Sequence, residues 1–201
     1  MYPDVTHKLL LYPCTIIGYI RLLLLGSALI AMSVGLTDES EARLGVAILV
    51  ALSLLLDVFD GYLARRFGHT TQFGLLFDLV IDLISHTFIW MISGFYFAAG
   101  LIILEWTAGL YIAAFSMAPN THWKRTLIDE GPPLIKIYFA RNQRNILSAY
   151  GNISHFIFPI TLYLDHTPIW VSYIALPGLV LYEVVTLYLF YILMRILASN
   201  D

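Results

Sequence analysis

Six stretches of predominantly apolar residues, each long enough to cross a bilayer as a helix, leave this chain few ways to fold. They run from about Pro13 to Val34, Ala42 to Arg66, Phe73 to Ala98, Leu101 to Ala118, Asn145 to Leu164 and Ile169 to Leu197. About 20 such residues span the ~30 Å hydrocarbon core, and a helix satisfies its own backbone groups there. The expected fold is therefore all-α: a polytopic membrane protein with six transmembrane helices. Composition agrees, at 59% hydrophobic and 12% charged, against about 45–50% and about 25% in a soluble domain. These figures exclude a soluble globular domain and a disordered chain. A net charge of -3 excludes the basic surface of a nucleic-acid binder. Cys14 is the single cysteine, so no intrachain disulfide is expected.

The connections are short. Spans three and four are joined only around Ala99-Gly100, which predicts a tight antiparallel hairpin. The longest connection, 119–144, holds Pro132-Pro133 and five basic residues. Met1 to Leu11 has the length of a short interfacial helix. No soluble linker interrupts the chain, which reads as a single integral-membrane domain over 1–201. A cleavable leader is not expected, because Arg21 interrupts the first apolar run. With six spans both termini share one side with the second-third and fourth-fifth loops. That side then holds Lys8, Arg21, Arg65, Arg66, Lys124, Arg125, Lys136, Arg141, Arg144 and Arg195, leaving Arg43 alone opposite. The positive-inside rule makes the basic side cytosolic.

Four aspartates, Asp57, Asp60, Asp78 and Asp82, lie in or at the ends of the second and third apolar runs. A carboxylate at membrane depth costs about 2.5–3.5 kcal/mol on insertion scales, so four uncompensated ones cost on the order of 10 kcal/mol. Their spacing is informative. Asp57, Asp60, Gly61 and Ala64 share one helical face, with Arg65 one residue on. Gly74, Asp78 and Asp82 share another. The two helices are consecutive, so their acidic faces can be turned together. Converging carboxylates need cations, and all-oxygen ligands select hard ions such as magnesium, manganese or calcium. The glycines and alanine leave a hollow beside the backbone. Arg65 supplies a positive charge of phosphate-binding type. A metal, a hollow and an arginine together read as a site for a phosphorylated substrate.

Intramembrane carboxylates also mark ion or proton pathways. The glycines and arginine fit such a transporter less well, and the sequence shows no internal repeat of the kind transporters are commonly built from.

Asp57, Asp60, Gly61, Ala64, Arg65, Gly74, Asp78 and Asp82 stand at the defined positions and spacing of one family motif. The sequence resembles the CDP-alcohol phosphatidyltransferase family, and within it the eukaryotic-type phosphatidylinositol synthases. The weaker supporting segments are Ile17 to Arg21, His122-Trp123, Pro133 to Phe139 and Gly151-Asn152. Three positions depart from the pattern. Thr15 replaces an asparagine near the nucleotide, Leu83 an arginine after the last aspartate, and Ile153 a glutamate after Gly151-Asn152.

The resemblance implies a six-helix homodimer that makes phospholipid with loss of CMP. Its donor would be CDP-diacylglycerol, held by two divalent ions, Mg2+ or Mn2+, on Asp57, Asp60, Asp78 and Asp82. Asp82 would also be the general base. Gly61, Ala64, Arg65, Gly74, Thr15 and Arg21 would hold the CDP group. The acceptor would be myo-inositol, with glycerol phosphate, inositol phosphate and serine as alternatives. His86, Lys136, Tyr138 and Arg141 are candidate acceptor contacts, and Arg144 and His122-Trp123 lie near them in sequence. The resemblance also implies an active site on the cytosolic face, in the endoplasmic reticulum for a eukaryotic chain. Membrane lipids are the expected surroundings, and no nucleic acid is expected as a partner. Glu105 and Glu183, remote in sequence, read as interhelical hydrogen-bond partners.

Overall fold

The structure is a computed structural model that describes residues 10–35, 39–68, 71–117, 128, 131–164 and 166–198, with the side chains of Ala64, Arg65 and Asn142 excepted. Among the described residues there are seven helices and no strand. They are α1 (Pro13–Ser33), α2 (Ser40–Phe67), α3 (Gln72–Ile92), α4 (Ala98–Met117), α5 (Pro133–Gln143), α6 (Ile146–Tyr163) and α7 (Ile169–Ala198). The His122-Trp123 pair lies outside the described residues, as does Met1–Leu11 but for its last two residues.

Local chemistry sets the ends of these helices. Pro13 begins α1, where its missing N–H costs nothing and its fixed φ suits the first turn. Gly35, Gly68 and Gly94 follow α1, α2 and α3 with φ of +74°, +67° and +63°, a conformation that ends a helix and favours glycine. The Ser93 hydroxyl donates to the Trp90 carbonyl and accepts from the Phe95 N–H, which fixes the turn at Gly94. The turn between the third and fourth apolar runs therefore falls at residues 93–97, before Ala99-Gly100, and Gly100 is helical. The connection expected over 119–144 contains an unexpected helix, α5. Asn145 accepts the Ser148 N–H at the start of α6 and donates to the carbonyls of Ile137, Tyr138 and Ala140. One side chain thus caps both helices at the corner between them.

Among the described residues five helices are long and apolar enough to cross a membrane: α1, α2 over Ser40–Leu63, α3, α4 and α7. The sixth expected span forms α6, which is 18 residues long. It is diluted by Ser148, Asn152, Ser154 and His155. Three of these, Ser148, Ser154 and His155, are buried. The polar content of α6 thus turns inward while Ile153 and Leu162 are exposed. The same inversion recurs elsewhere: Arg21, Ser53, Asp60 and Glu105 are buried while Leu23, Ile30, Leu55 and Ile103 are exposed. A soluble protein places these residue types the other way round; in lipid the apolar side chains face outward and ionisable ones face the protein interior.

The chain forms two compact units, Met1–Phe88 and Ile89–Asp201. In the first, α1 packs along α2, and α3 reaches α1 at Gly18. A Cβ there would lie 2.5 Å from Phe77 Cε1 and 3.0 Å from Ile81 Cδ1. In the second, α7 is central, packing on α6 and α4, while α5 packs on α6. Its core joins Ala108 and Phe115 to Ile135, Tyr138 and Phe139 and to Val185, Leu189, Ile192 and Leu193. Gly178 lets α7 approach α6 so closely that a Cβ would collide with Ser154. Such small-residue contacts are the usual means by which membrane helices gain packing area.

Candidate active site

The first unit gathers the four aspartates around one guanidinium. Asp57 and Asp60 come from the last turns of α2, and Asp78 and Asp82 from consecutive turns of α3. Arg21 of α1 enters between them with its side chain fully buried. Its Nη1 lies 2.8 Å from Asp57, 3.2 Å from Asp60 and 2.8 Å from Asp78, and its Nη2 lies 2.5 Å from Asp82. The Ser53 hydroxyl donates to the Arg21 carbonyl across 3.4 Å, tying α1 to α2 at the same level. Asp60 is 8% exposed at its side chain, whereas Asp57, Asp78 and Asp82 keep 36%, 43% and 34%. The cluster is therefore closed beneath Asp60 and accessible at the other three carboxylates.

The charge balance of this arrangement is unfavourable by itself. Asp57, Asp60 and Asp78 each place an oxygen within 4.8 Å of the others. Two like charges about 5 Å apart repel by roughly 3 kcal/mol at an effective dielectric of about 20. One guanidinium offsets one of four carboxylates, which leaves the ionised cluster short of positive charge. The donor set is all carboxylate oxygen, the type that suits magnesium, manganese or calcium and not a soft ion. The guanidinium shows that a cation fits among these oxygens. The residues present therefore fit a divalent ion.

The other predicted residues fall as follows. Gly61 follows Asp60 on α2, and the side chains of Ala64 and Arg65 lie outside the described ones. Gly74 lies in the first turn of α3, where its N–H donates to Thr71 Oγ1. Thr15 is buried on α1, below Arg21 in the same helix. His86 lies one turn beyond Asp82 on α3 and is half-buried. Lys136, Tyr138 and Arg141 are on α5 in the second unit. Lys136 and Arg141 are exposed. Tyr138 is buried and donates its phenol to Asn152 Oδ1 at 2.7 Å. Burial, and then the charge of Glu183, push that phenol above its ordinary range.

Two features go beyond what the sequence pattern predicts. One is the position of Arg21 at the centre of the carboxylates, where it had been expected beside a nucleotide. The other is His155 of α6, buried between the two remote glutamates. Its Nε2 lies 3.1 Å from Glu105 of α4, and its Nδ1 lies 3.3 Å from Glu183 of α7. Trp90 donates its indole N–H to the same Glu105 oxygen at 3.2 Å, and Tyr182 stacks on the imidazole with centroids 4.0 Å apart. Three ionisable residues in three apolar runs were the available signal, since such groups pair within membranes.

A family model described as CDP-alcohol phosphatidyltransferase matches residues 12–196. No curated protein sequence and no solved structure gives a match.

Proposed function

Because the chain belongs to the CDP-alcohol phosphatidyltransferase family, we propose that it transfers the phosphatidyl group of CDP-diacylglycerol to myo-inositol, giving phosphatidylinositol and CMP. The family itself indicates phosphatidyltransferase activity on an alcohol acceptor. The observation that carries the finer reading of the site is the convergence of Asp57, Asp60, Asp78 and Asp82 from two helices. Choice of inositol rests on the segments Ile17 to Arg21, Pro133 to Phe139 and Gly151-Asn152.

In this reading the acceptor hydroxyl oxygen attacks the phosphorus that carries the diacylglycerol. A new phosphorus–oxygen bond forms, and the bond from that phosphorus to the bridging oxygen breaks. CMP leaves with the bond's electrons. Asp82 takes the hydroxyl proton, a role worth about 10²–10⁴-fold when a side chain is well placed. Asp57, Asp60, Asp78 and Asp82 would hold the divalent ions, two of them in the reading adopted here. Bound there, the ions would neutralise charge on the transferring phosphoryl group and on departing CMP. Gly61, Ala64 and Gly74 leave the backbone approachable for the CDP group, and Arg65, Arg21 and Thr15 bind it. His86, one turn beyond Asp82 on α3, is the acceptor contact favoured in the first unit; Lys136, Tyr138 and Arg141 are acceptor candidates from the sequence alone. The enzyme works as a homodimer with its site and both termini on the cytosolic side.

Glycerol phosphate is the second acceptor to consider. The stretch Asp60 to Arg66 resembles the glycerophosphate-using branch, and exposed Lys136, Arg141 and Arg144 offer charge for a phosphate. Measuring CMP release separates these readings. Purified protein is given CDP-diacylglycerol, Mg2+ or Mn2+, and inositol, inositol phosphate, glycerol phosphate or serine in turn. Release with inositol alone supports the proposal. Release only with another alcohol moves the specificity and keeps the reaction, and silence with all four refutes it.

A further inference from the structure

We propose that Arg21 is the built-in counter-cation of the acidic centre: it holds the four carboxylates converged without a metal, and a divalent ion must displace its Nη1 to bind. The proposal rests on the reading of the cluster as a metal site. It concerns what the chain does before metal and donor arrive.

The argument is geometric first. Nη1 stands within 2.8 to 3.2 Å of oxygens from Asp57, Asp60 and Asp78, and these residues are the three whose oxygens come within 4.8 Å of one another. An ion bonded to these carboxylates at about 2.0–2.6 Å would compete with Nη1 for the same three partners. Both species carry positive charge, so nothing offsets the competition. The two occupants are alternatives.

Burial and hydrogen bonding point the same way. The Arg21 side chain is fully buried, yet its Nε has no hydrogen-bond partner among the described residues. The guanidinium is thus spent on the carboxylates at the expense of one of its own donors, which normally costs free energy. The backbone beneath it is fixed. Ser53 holds the Arg21 carbonyl, and Gly18, one turn earlier, is enclosed by Phe77 and Ile81. Displacement therefore falls to the side chain and leaves α1 where it is. A long, multiply jointed side chain on a rigid helix suits that exchange.

Thermodynamic linkage gives the test. If the guanidinium competes with the ion, removing it exposes a more negative, emptier site. Arg21→Gln then binds Mn2+ at least tenfold more tightly than the unaltered chain, read by the free-Mn2+ signal in electron paramagnetic resonance. The measurement uses full-length protein in detergent without donor, so nucleotide contacts of Arg21 do not enter. The ion-free variant melts at a lower temperature, because four carboxylates lose their counter-charge, and Mn2+ raises its melting temperature by more than it raises that of the unaltered chain. Arg21→Lys, with one nitrogen in place of two, falls between, and it serves alone if Arg21→Gln does not fold. Asp78→Asn is the control. Equal or weaker Mn2+ binding by the Arg21 variants, with binding lost in Asp78→Asn, overturns the counter-cation and keeps the metal site. No Mn2+ binding by any form overturns both.

Discussion

Asp78 and Asp82, one turn apart on α3, meet the same guanidinium through different nitrogens, at 2.8 Å from Nη1 and 2.5 Å from Nη2. Asp78 belongs with Asp57 and Asp60 in one close set of oxygens, while Asp82 approaches from beside it. The two should respond differently to loss of charge. Asp82→Asn is expected to slow CMP release by about 10²–10⁴-fold and to weaken Mn2+ binding without abolishing it. Asp78→Asn is expected to lose both. Full CMP release by Asp82→Asn would exclude this residue as the base.

Gly18 should tolerate no side chain. Its missing Cβ is faced by Phe77 at 2.5 Å and Ile81 at 3.0 Å. Phe77 has little room to retreat, since it stacks on Phe73 and meets Tyr19 edge-on. Overpacking of this kind costs about 1–3 kcal/mol. Because Arg21 is one turn further along α1, Gly18→Ala should also disturb the carboxylate cluster. Thermal unfolding in detergent and Mn2+ binding should both weaken, and an unchanged melting temperature would show that α1 and α3 are not held by this contact.

Tyr138→Phe leaves Asn152 Oδ1 without the phenol that donates to it, at a cost of about 1–3 kcal/mol. The pH dependence carries a second signature. Burial and the charge of Glu183 raise the phenol's pKa in the folded chain, whereas an unfolded tyrosine ionises near pH 10 or so. Above that pH the unfolded chain has lost a proton that the folded chain keeps. This contribution is therefore complete below about pH 10 and falls as pH rises beyond it. Melting curves from neutral to alkaline pH should show that extra decline in the native chain and lose it in Tyr138→Phe.

His155→Ala removes the group that separates two glutamates. Its ring nitrogens lie 3.1 Å from Glu105 and 3.3 Å from Glu183. Leaving a buried polar group unsatisfied costs about 1–3 kcal/mol in soluble proteins, whereas intramembrane polar contacts average about 0.6 kcal/mol. A loss of about 1 kcal/mol is expected here, because both glutamates lose the imidazole between them. Denaturant unfolding in mixed micelles measures it. Mn2+ binding should not change, and wild-type stability would show that the triad does not hold α4, α6 and α7 together.

The meeting of the four aspartates was legible because it needs only helical periodicity and a short link. Asp57 and Asp60 are three apart, Asp78 and Asp82 four apart, and only residues 68–71 separate α2 from α3. Arg21 could not be placed that way. The face that α1 turns to its neighbours is chosen by packing at Gly18, which no spacing within α1 reveals. The helix α5 was hidden by its charges, although Pro133 at its start and Asn145 at its end are the expected markers. Choosing Gly100 over Gly94 for the turn overlooked the serine before Gly94, a recognised turn dipeptide. His155 is not legible in the sequence, because it is one polar residue in an apolar run and its partners come from helices distant in sequence.

Arg21 also bears on how the protein is made. Synthesis proceeds from the N-terminus, so α1 is made before the helices that carry Asp57, Asp60, Asp78 and Asp82. An arginine at the centre of a helix costs about 2.5–3.5 kcal/mol to insert. The nine leucines and isoleucines of α1, at about 0.3–0.6 kcal/mol each in favour, are enough to offset that. The guanidinium meets its counter-charges only when α2 and then α3 arrive and their carboxylates, each unfavourable alone, close on it. The order of charges along the chain thus lets α1 insert on its own apolar residues, with its guanidinium gaining partners only from the two helices that follow.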